Sequence, residues 1–266
     1  MKTRLHILAG FMFASALLPQ VLSCGKSLCP PGSRQYGDPP PKGNSVVCKK
    51  TIEEFGLKKE ILHGPSTRWF DDGMLALEEN YVEGKREGAF VEWLPKGGKK
   101  REATYKDGVE DGPVQEWHDN GAKKLSTAFV AGKENGKRTV WALNGTKIQE
   151  TEFKNGIEEG LRQEWYPNGN KKYEGTVRAG KLHGDVKEWY EDGVQQSFMQ
   201  VREGVKHGQY QLWFGNAQKS LEMNYVDGKK QGEAVEWYPQ GGLQRKTLFK
   251  DDQPIKTKDY DPPPEE

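Results

Sequence analysis

The sequence predicts an all-β protein, an elongated antiparallel β-meander or solenoid of eight 24-residue hairpin repeats. Three observations predict it: tryptophans recur every 24 residues, glycines recur in register with them, and short polar runs lie between. The tryptophans are Trp69, Trp93, Trp117, Trp141, Trp165, Trp189, Trp213 and Trp237. Columns that stay in register over so many copies indicate a repeat architecture, in which each unit packs only against its neighbours.

Composition supports an elongated fold and excludes one class of partner. Hydrophobic residues make up 34% of the 266 residues and charged residues 30%, which is polar for a compact core. The 32 glycines and 11% aromatic residues argue against a disordered chain. The net charge of +1 lacks the basic excess of a nucleic-acid-binding protein, so we expect no nucleic-acid partner.

Residues 1–23 are predicted to be a signal peptide of the lipoprotein type. A basic start precedes an apolar stretch from Ile7 to Leu22, which is shorter than the roughly 20 residues of a membrane-spanning helix. The sequence Val-Leu-Ser-Cys ending at Cys24 resembles a bacterial lipobox, although Val21 and Leu22 depart from the usual pattern. The alternative is ordinary cleavage after Ser23. We therefore expect an exported protein of the cell envelope, an outer-membrane lipoprotein lipidated on Cys24, or else a secreted or periplasmic one.

Residues 24–59 form a predicted head rich in Pro and Gly. In an exported protein its two remaining thiols, Cys29 and Cys48, are expected to pair. Such a disulfide would stabilise the head by about 3 kcal/mol. The alternative is two free thiols; a zinc site is not expected, since no His or third Cys is near.

Residues 60–252 contain the eight repeats, each predicted as two strands and two turns. In the copy from Phe153 to Lys172, Asn168-Gly169 is typical of a two-residue hairpin turn in which both residues have positive φ. Gly156 and Gly160 are expected to bound a longer connection. Eight units then give about 16 strands spanning roughly 75 Å.

Alternation along a strand places Trp165 on one face and Glu164 on the other. We interpret the tryptophans as the structural core of the repeat, with a column of Tyr, Phe and Val beside them. The competing interpretation, an aromatic stripe that binds glycan or bases, is weaker because a repeating core requires identically placed residues. Residues 253–266 are acidic and Pro-rich, and are predicted to be disordered.

Two polar columns are the candidates for chemistry. His63, His183 and His207 share the position before a turn glycine, and we interpret them as polar turn residues. Glu precedes Trp in five units, and these residues form a carboxylate ladder that could serve as acid and base or bind Ca²⁺: Glu92, Glu116, Glu164, Glu188 and Glu236. Abundant Lys and Arg favour a solvated, paired face instead. No catalytic or metal-binding motif is present, so we expect no enzyme, no cofactor and no metal.

The repeat resembles the MORN family. The resemblance lies in the segment Y-V-D-G-K-K-Q-G from Tyr225 to Gly232 and in W-Y-P-N-G from Trp165 to Gly169. It is closest to the bacterial, antitoxin-like variant found in exported proteins, and covers roughly residues 60–252. The resemblance implies scaffolding, membrane-proximal placement or protein binding, with no catalytic residue and no cofactor.

The sequence therefore predicts an envelope-anchored lipoprotein that binds a protein or forms a scaffold, attached to the membrane through Cys24. The alternative is an immunity or antitoxin-like protein that neutralises a partner toxin, which rests on family analogy. A third hypothesis, a glycan hydrolase acting through the Glu ladder, has the least support.

Overall fold

Residues 29–263 are described by a computed structural model, and within them the chain forms one antiparallel sheet and no helix. Consequently no helix in this range is available to cross a membrane. The strands are β1 (Ser33–Tyr36), β2 (Ser45–Glu54), β3 (Leu57–Trp69), β4 (Leu75–Val82), β5 (Lys85–Arg86), β6 (Gly88–Trp93), β7 (Lys99–Lys106), β8 (Val109–Glu110), β9 (Gly112–Trp117), β10 (Lys123–Val130), β11 (Lys133–Glu134), β12 (Gly136–Trp141), β13 (Lys147–Lys154), β14 (Ile157–Trp165), β15 (Lys171–Arg178), β16 (Lys181–Trp189), β17 (Gln195–Arg202), β18 (Val205–Trp213), β19 (Lys219–Val226), β20 (Lys229–Lys230), β21 (Gly232–Trp237), β22 (Leu243–Lys250) and β23 (Gln253–Asp259).

The strands follow one another through the sheet as a meander. In four places a strand is broken before its glycine, and both pieces pair with the same preceding strand, as β5 and β6 do with β4. With each broken pair taken as one strand, residues 57–250 provide the sixteen strands that the repeat predicted. The all-β meander is thus confirmed. We number the units 1 to 8 by their tryptophans, from Trp69 to Trp237.

The wide turn after each tryptophan differs from the predicted two-residue turn. In unit 5 the N–H of Gly169 donates to the carbonyl of Tyr166 at 2.9 Å, and the N–H of Tyr166 donates to the carbonyl of Asn170 at 2.8 Å. Only Gly169 in this three-residue loop has positive φ, at 91°. The loop is therefore a type I turn followed by a left-handed residue, which suits Pro167 at its first position.

The tight turn lies where the sequence predicted the longer connection. Asn155 and Gly156 both have positive φ, 53° and 82°, and Lys154 pairs directly with Ile157. This is the two-residue type I′ hairpin. The turn recurs in every unit, and its first residue is Glu, Asp, Asn or Ala. The predicted turn types were therefore wrong. The side chain of the Asn in the wide turn makes hydrogen bonds, and its backbone does not adopt positive φ.

The buried core lies in columns other than the tryptophans. Val186, three residues before Trp189, is 0% exposed and pairs with Gly175 on one side and Met199 on the other. Equivalent pairs repeat along the sheet, among them Phe90 with Ala103 and Tyr210 with Met223. A larger side chain therefore often faces a smaller one across the strands, which fills a thin core without a second layer.

All eight tryptophans are only half-buried. The interpretation of these residues as the repeat core must be corrected accordingly. A one-layer sheet leaves the outer side of a large ring in contact with solvent or with long polar side chains. The tryptophans lie on one face of the sheet. The most buried side chains of the sheet as a whole belong to the columns around Val186.

The head and the C-terminal segment both extend the sheet. The predicted boundary at residue 60 falls inside β3, and β2 pairs with β3 along most of its length. Residues 253–259, predicted to be disordered, form β23 and pair with β22. The hydroxyl of Tyr238 donates to the carbonyl of Tyr260 at 3.0 Å, as its counterparts donate to the next unit. The segment therefore takes the place of a ninth unit, which composition alone did not indicate.

The tight turns provide a test of the turn assignment. The left-handed conformation costs an ordinary L residue about 1–2 kcal/mol, but Asn adopts it readily. Ala131 has φ of 49°, so Ala131→Asn is expected to stabilise the chain by about 1 kcal/mol. The mirrored change one unit along, Asn155→Ala, is expected to destabilise it by a similar amount. Urea unfolding midpoints measure both, and shifts in the same direction would contradict the assignment.

Candidate interaction surface

Polar side chains connect each unit to the next along the row of tight turns. The carboxylate of Glu159 accepts a hydrogen bond from the N–H of Ala179, the first residue of the following tight turn, at 2.7 Å. The same bond, twenty residues apart in sequence, occurs in six of the eight units in residues 29–263. The acceptors are His63, Glu87, Asp111, Glu159, His207 and Gln231.

This column contains the three histidines singled out from the sequence. The imidazole Nδ1 of His63 and that of His207 each lie 3.2 Å from the turn N–H, which points at them. In His183 the corresponding nitrogen is buried without a hydrogen-bond partner. The shared property of the column is a hydrogen-bond acceptor, which explains why His, Glu, Asp and Gln alternate in it. Sequence reasoning recognised the position but missed its partner, which lies in the next unit.

The row of wide turns is connected in a parallel way. The Asn168 side chain accepts from the N–H of Asn170 and donates to the carbonyl of Glu191 in the next unit, both at 2.9 Å. The hydroxyl of Tyr166 donates to the carbonyl of Trp189 at 2.9 Å. Both rows of turns therefore hold successive units in register.

The face that carries the tryptophans is covered by lysines. The ammonium of Lys147 lies 4.1 Å from the centre of the Trp165 ring, in the following unit. Five tryptophans have such a lysine: Trp117, Trp141, Trp165, Trp189 and Trp237. A cation over the ring is favourable, and it occupies the surface on which a sugar or base would stack.

The lysines of this face also pair with carboxylates. Lys171 donates to Glu174, and this bond, followed by one from Gln163, lowers the pKa of Glu174 below its usual range. Lys137, followed by Lys147, lowers the pKa of Glu150 in the same way. The face is thus an ordered alternation of half-buried rings and paired charges.

The opposite face carries the glutamate ladder, and four of its five carboxylates, those of Glu92, Glu116, Glu164 and Glu188, have partners. Glu164 accepts from Arg162 at 2.7 Å, and Glu92 accepts from Lys100 at 2.8 Å. Glu188 accepts from the hydroxyl of Ser197 at 2.9 Å. Tyr173 lies between Glu164 and Glu188 in the ladder, and burial raises the pKa of its hydroxyl. The arrangement matches the solvated, paired face expected from the sequence.

Shallow clefts follow this ladder from unit to unit. One is lined by Arg162, Glu164, Tyr173 and Glu188, and another by Arg101, Glu116 and Lys124. Within residues 29–263, no three His, Cys, Asp or Glu side chains are grouped so that they could hold a metal ion. The clefts present alternating charges and aromatic rings to solvent.

The head contains the predicted disulfide, and the predicted lipid site lies elsewhere. Cys29 and Cys48 are bonded, with their Cα atoms 5.4 Å apart, which confirms the pairing. Cys48 is buried against the first unit, where a Cβ on Gly64 would lie 3.0 Å from the Cβ of Cys48. Cys24 and the predicted signal peptide lie outside the described residues.

Parts of the repeat match a known family. The model of the MORN repeat variant matches residues 62–83, 158–178 and 230–251. Each match begins two residues before the glycine that lies five residues before a tryptophan: Gly64, Gly160 and Gly232. The chain therefore contains repeats of the MORN variant at these three places. No curated protein matches the chain. MORN repeats generally act as scaffolds that bind proteins or membranes and are not catalysts.

The role of the acceptor column can be tested at unit 5. Removal of the acceptor in Glu159→Ala leaves the turn N–H of Ala179 without its partner, and we expect a loss of about 1 kcal/mol in unfolding free energy. Glu159→Gln is the matched control, because its amide oxygen still accepts. Urea unfolding of both variants distinguishes the role of the side chain as a hydrogen-bond acceptor from the role of its negative charge. Equal losses would mean that the charge matters and the acceptor does not.

Proposed function

We propose that this MORN-repeat protein is an elongated protein-binding scaffold held at the cell envelope. The observation that carries the proposal is the single-layer sheet. Across residues 29–263 both faces and both rows of turns are accessible, while bonds between neighbouring units maintain the shape. A long, rigid, open surface favours binding of extended partners, because little ordering is needed on association.

The charges of both faces support recognition of a protein surface. Carboxylates such as Glu164 and Glu174 are held by neighbouring cations, which fixes their positions. Ordered, alternating charges contribute specificity and set the register of a partner.

The envelope location rests on the N-terminal sequence. A diacylglycerol on Cys24 and an acyl chain on its amino group would supply the two or more chains that stable anchoring requires. Only four residues separate Cys24 from the disulfide-bonded Cys29. A lipid on Cys24 would therefore hold the head of the scaffold next to the bilayer. A secreted or periplasmic protein cleaved after Ser23 is the alternative.

Lipidation of Cys24 is tested by metabolic labelling with radioactive palmitate. We expect label in the wild-type protein and none in Cys24→Ala, because the thioether can form only on that sulfur. The Cys24→Ala protein should also move from the membrane fraction to the soluble fraction. Label that persists in Cys24→Ala would contradict the anchor.

Scaffolding is tested by chemical crosslinking of the full-length protein in its native envelope, followed by purification. We expect a defined partner whose crosslinking is saturable and is reduced when excess free protein is added before the crosslinker. Heat-unfolded protein is the control for non-specific capture. If added free protein reduces the crosslinking of no partner, the scaffold proposal is wrong.

The immunity or antitoxin role is a finer version of the same proposal, in which the partner is a toxin. It rests on the resemblance to the antitoxin-like variant, and no contact in the sheet favours a toxin over another protein. A crosslinked partner with toxic activity would favour it.

A further inference from the structure

The edge of the sheet that carries the tight turns has a row of exposed apolar side chains. Of the large hydrophobic side chains that are exposed in residues 29–263, most lie at or near this edge on the same face as the tryptophans. They include Val82, Val109, Val130, Ile157, Val205 and Val226, which are 43–53% exposed. Each of these flanks a tight turn and pairs directly with a lysine or arginine across it, as Val130 does with Lys133.

In the middle of this edge the cations have no partners. We define the central turn patch as Val130, Lys133, Lys154, Ile157, Arg178 and Lys181, all of which are exposed. In residues 29–263, none of its four cations forms an ion pair or a side-chain hydrogen bond. By contrast Arg202, at the equivalent position one unit further, pairs with Asp227. The patch therefore carries a local positive charge in a chain whose net charge is only +1.

The turn residues explain why the charge is concentrated there. The tight turns inside the patch begin with Ala131, Asn155 and Ala179, which are neutral. The turns on either side begin with Asp107 and Glu203, which are acidic. Two carboxylates lie near these turns, that of Glu159 on the N–H of Ala179 and that of Glu152 across Gly160, so the four cations of the patch outnumber them.

We propose that the central turn patch binds an acidic segment of a partner protein that also carries aliphatic side chains. This inference rests on the proposed scaffold function and names where and how the partner is held. Charge complementarity selects a carboxylate-rich segment, and the exposed Val130 and Ile157 select aliphatic groups beside the carboxylates.

The geometry limits the spacing of the partner's charges. Neighbouring strands lie about 4.8 Å apart, so equivalent positions of successive units recur about every 10 Å. An α-helix rises about 10.5 Å over seven residues. A helix with carboxylates at heptad spacing, and aliphatic residues between them, would match the patch.

The experiment uses a displayed random-peptide library selected against the full mature protein. We expect the selected peptides to be acidic and to contain aliphatic residues. Their affinities, measured by fluorescence anisotropy, should fall at least about tenfold for the double variant Arg178→Glu, Lys181→Glu. The matched control Lys106→Glu, Lys229→Glu reverses the same number of charges outside the patch and should change affinity less than about twofold. Circular dichroism should show that both variants are folded, since these side chains make no bonds in the sheet.

Several results would overturn the proposal. Peptides without an acidic excess, equal affinity for the two double variants, or no selected peptide at all would each refute it. Vesicles containing phosphatidylglycerol provide a further arm: if they bind through Arg178 and Lys181 while acidic peptides do not, the occupant is a membrane and the proposal is wrong.

The outcome is separable from that of the scaffold experiment. If the crosslinked envelope partner is retained equally by Arg178→Glu, Lys181→Glu, the patch is refuted and the scaffold function stands. If acidic peptides bind through the patch but no envelope partner is found, the patch stands and the scaffold function falls.

Discussion

A sheet of one layer has no second layer against which to bury its side chains, so each unit must be held by its neighbours within the sheet. In this protein the bonds between units lie at both ends of the strands. The N–H of Gly156 donates to the carbonyl of Glu134 in the preceding turn at 2.7 Å, and the Asn168 side chain donates to the following unit at the opposite end. Between them, the column around Val186 provides a thin core. The 24-residue period follows from this, because an insertion or deletion in a unit would misalign all three connections at once.

The same constraint explains the composition of the two faces. Both faces contact solvent, so neither can be wholly apolar. Side chains must nevertheless pack along each face if the single layer is to be stable. The solution is long side chains that lie along the surface. The ammonium of Lys147 lies over the ring of Trp165 and also pairs with Glu150. The tryptophans are thereby half-buried by neighbours in sequence-distant strands, which accounts for the high charge and the high aromatic content together.

Sequence reasoning succeeded where one residue type marks one structural position. The Trp and Gly columns predicted the sixteen repeat strands and their antiparallel order, and the compartment argument predicted the Cys29–Cys48 bond. It failed where several residue types satisfy one requirement. The core column contains Phe90, Arg138 and Val186, whose common feature is a complementary neighbour across the strand.

In the turns, conversely, one residue type fills two different structural positions. Asn168 and Asn155 both precede glycine, yet the first is used for its side-chain hydrogen bonds and the second for its left-handed backbone. The dipeptide cannot distinguish these uses, since each depends on the strand that follows. In the C-terminal segment, pairing with β22 outweighs a composition typical of disorder, because the edge of the sheet supplies ready hydrogen-bond partners.

Some columns of the repeat therefore hold neighbouring units together, and others are free to vary and can contact a partner. Positions that hold neighbouring units must keep an acceptor, a glycine or a complementary volume, as Glu159 and Gly156 do. Positions that flank the tight turns contact little else, and there Val, Ile, Lys and Arg replace one another from unit to unit. The first residue of the tight turn is similarly free, provided that it tolerates positive φ, and it changes from acidic at Asp107 to neutral at Ala131. Local charge can therefore change along this edge without cost to the fold, whereas the same change in the acceptor column would break the link between two units.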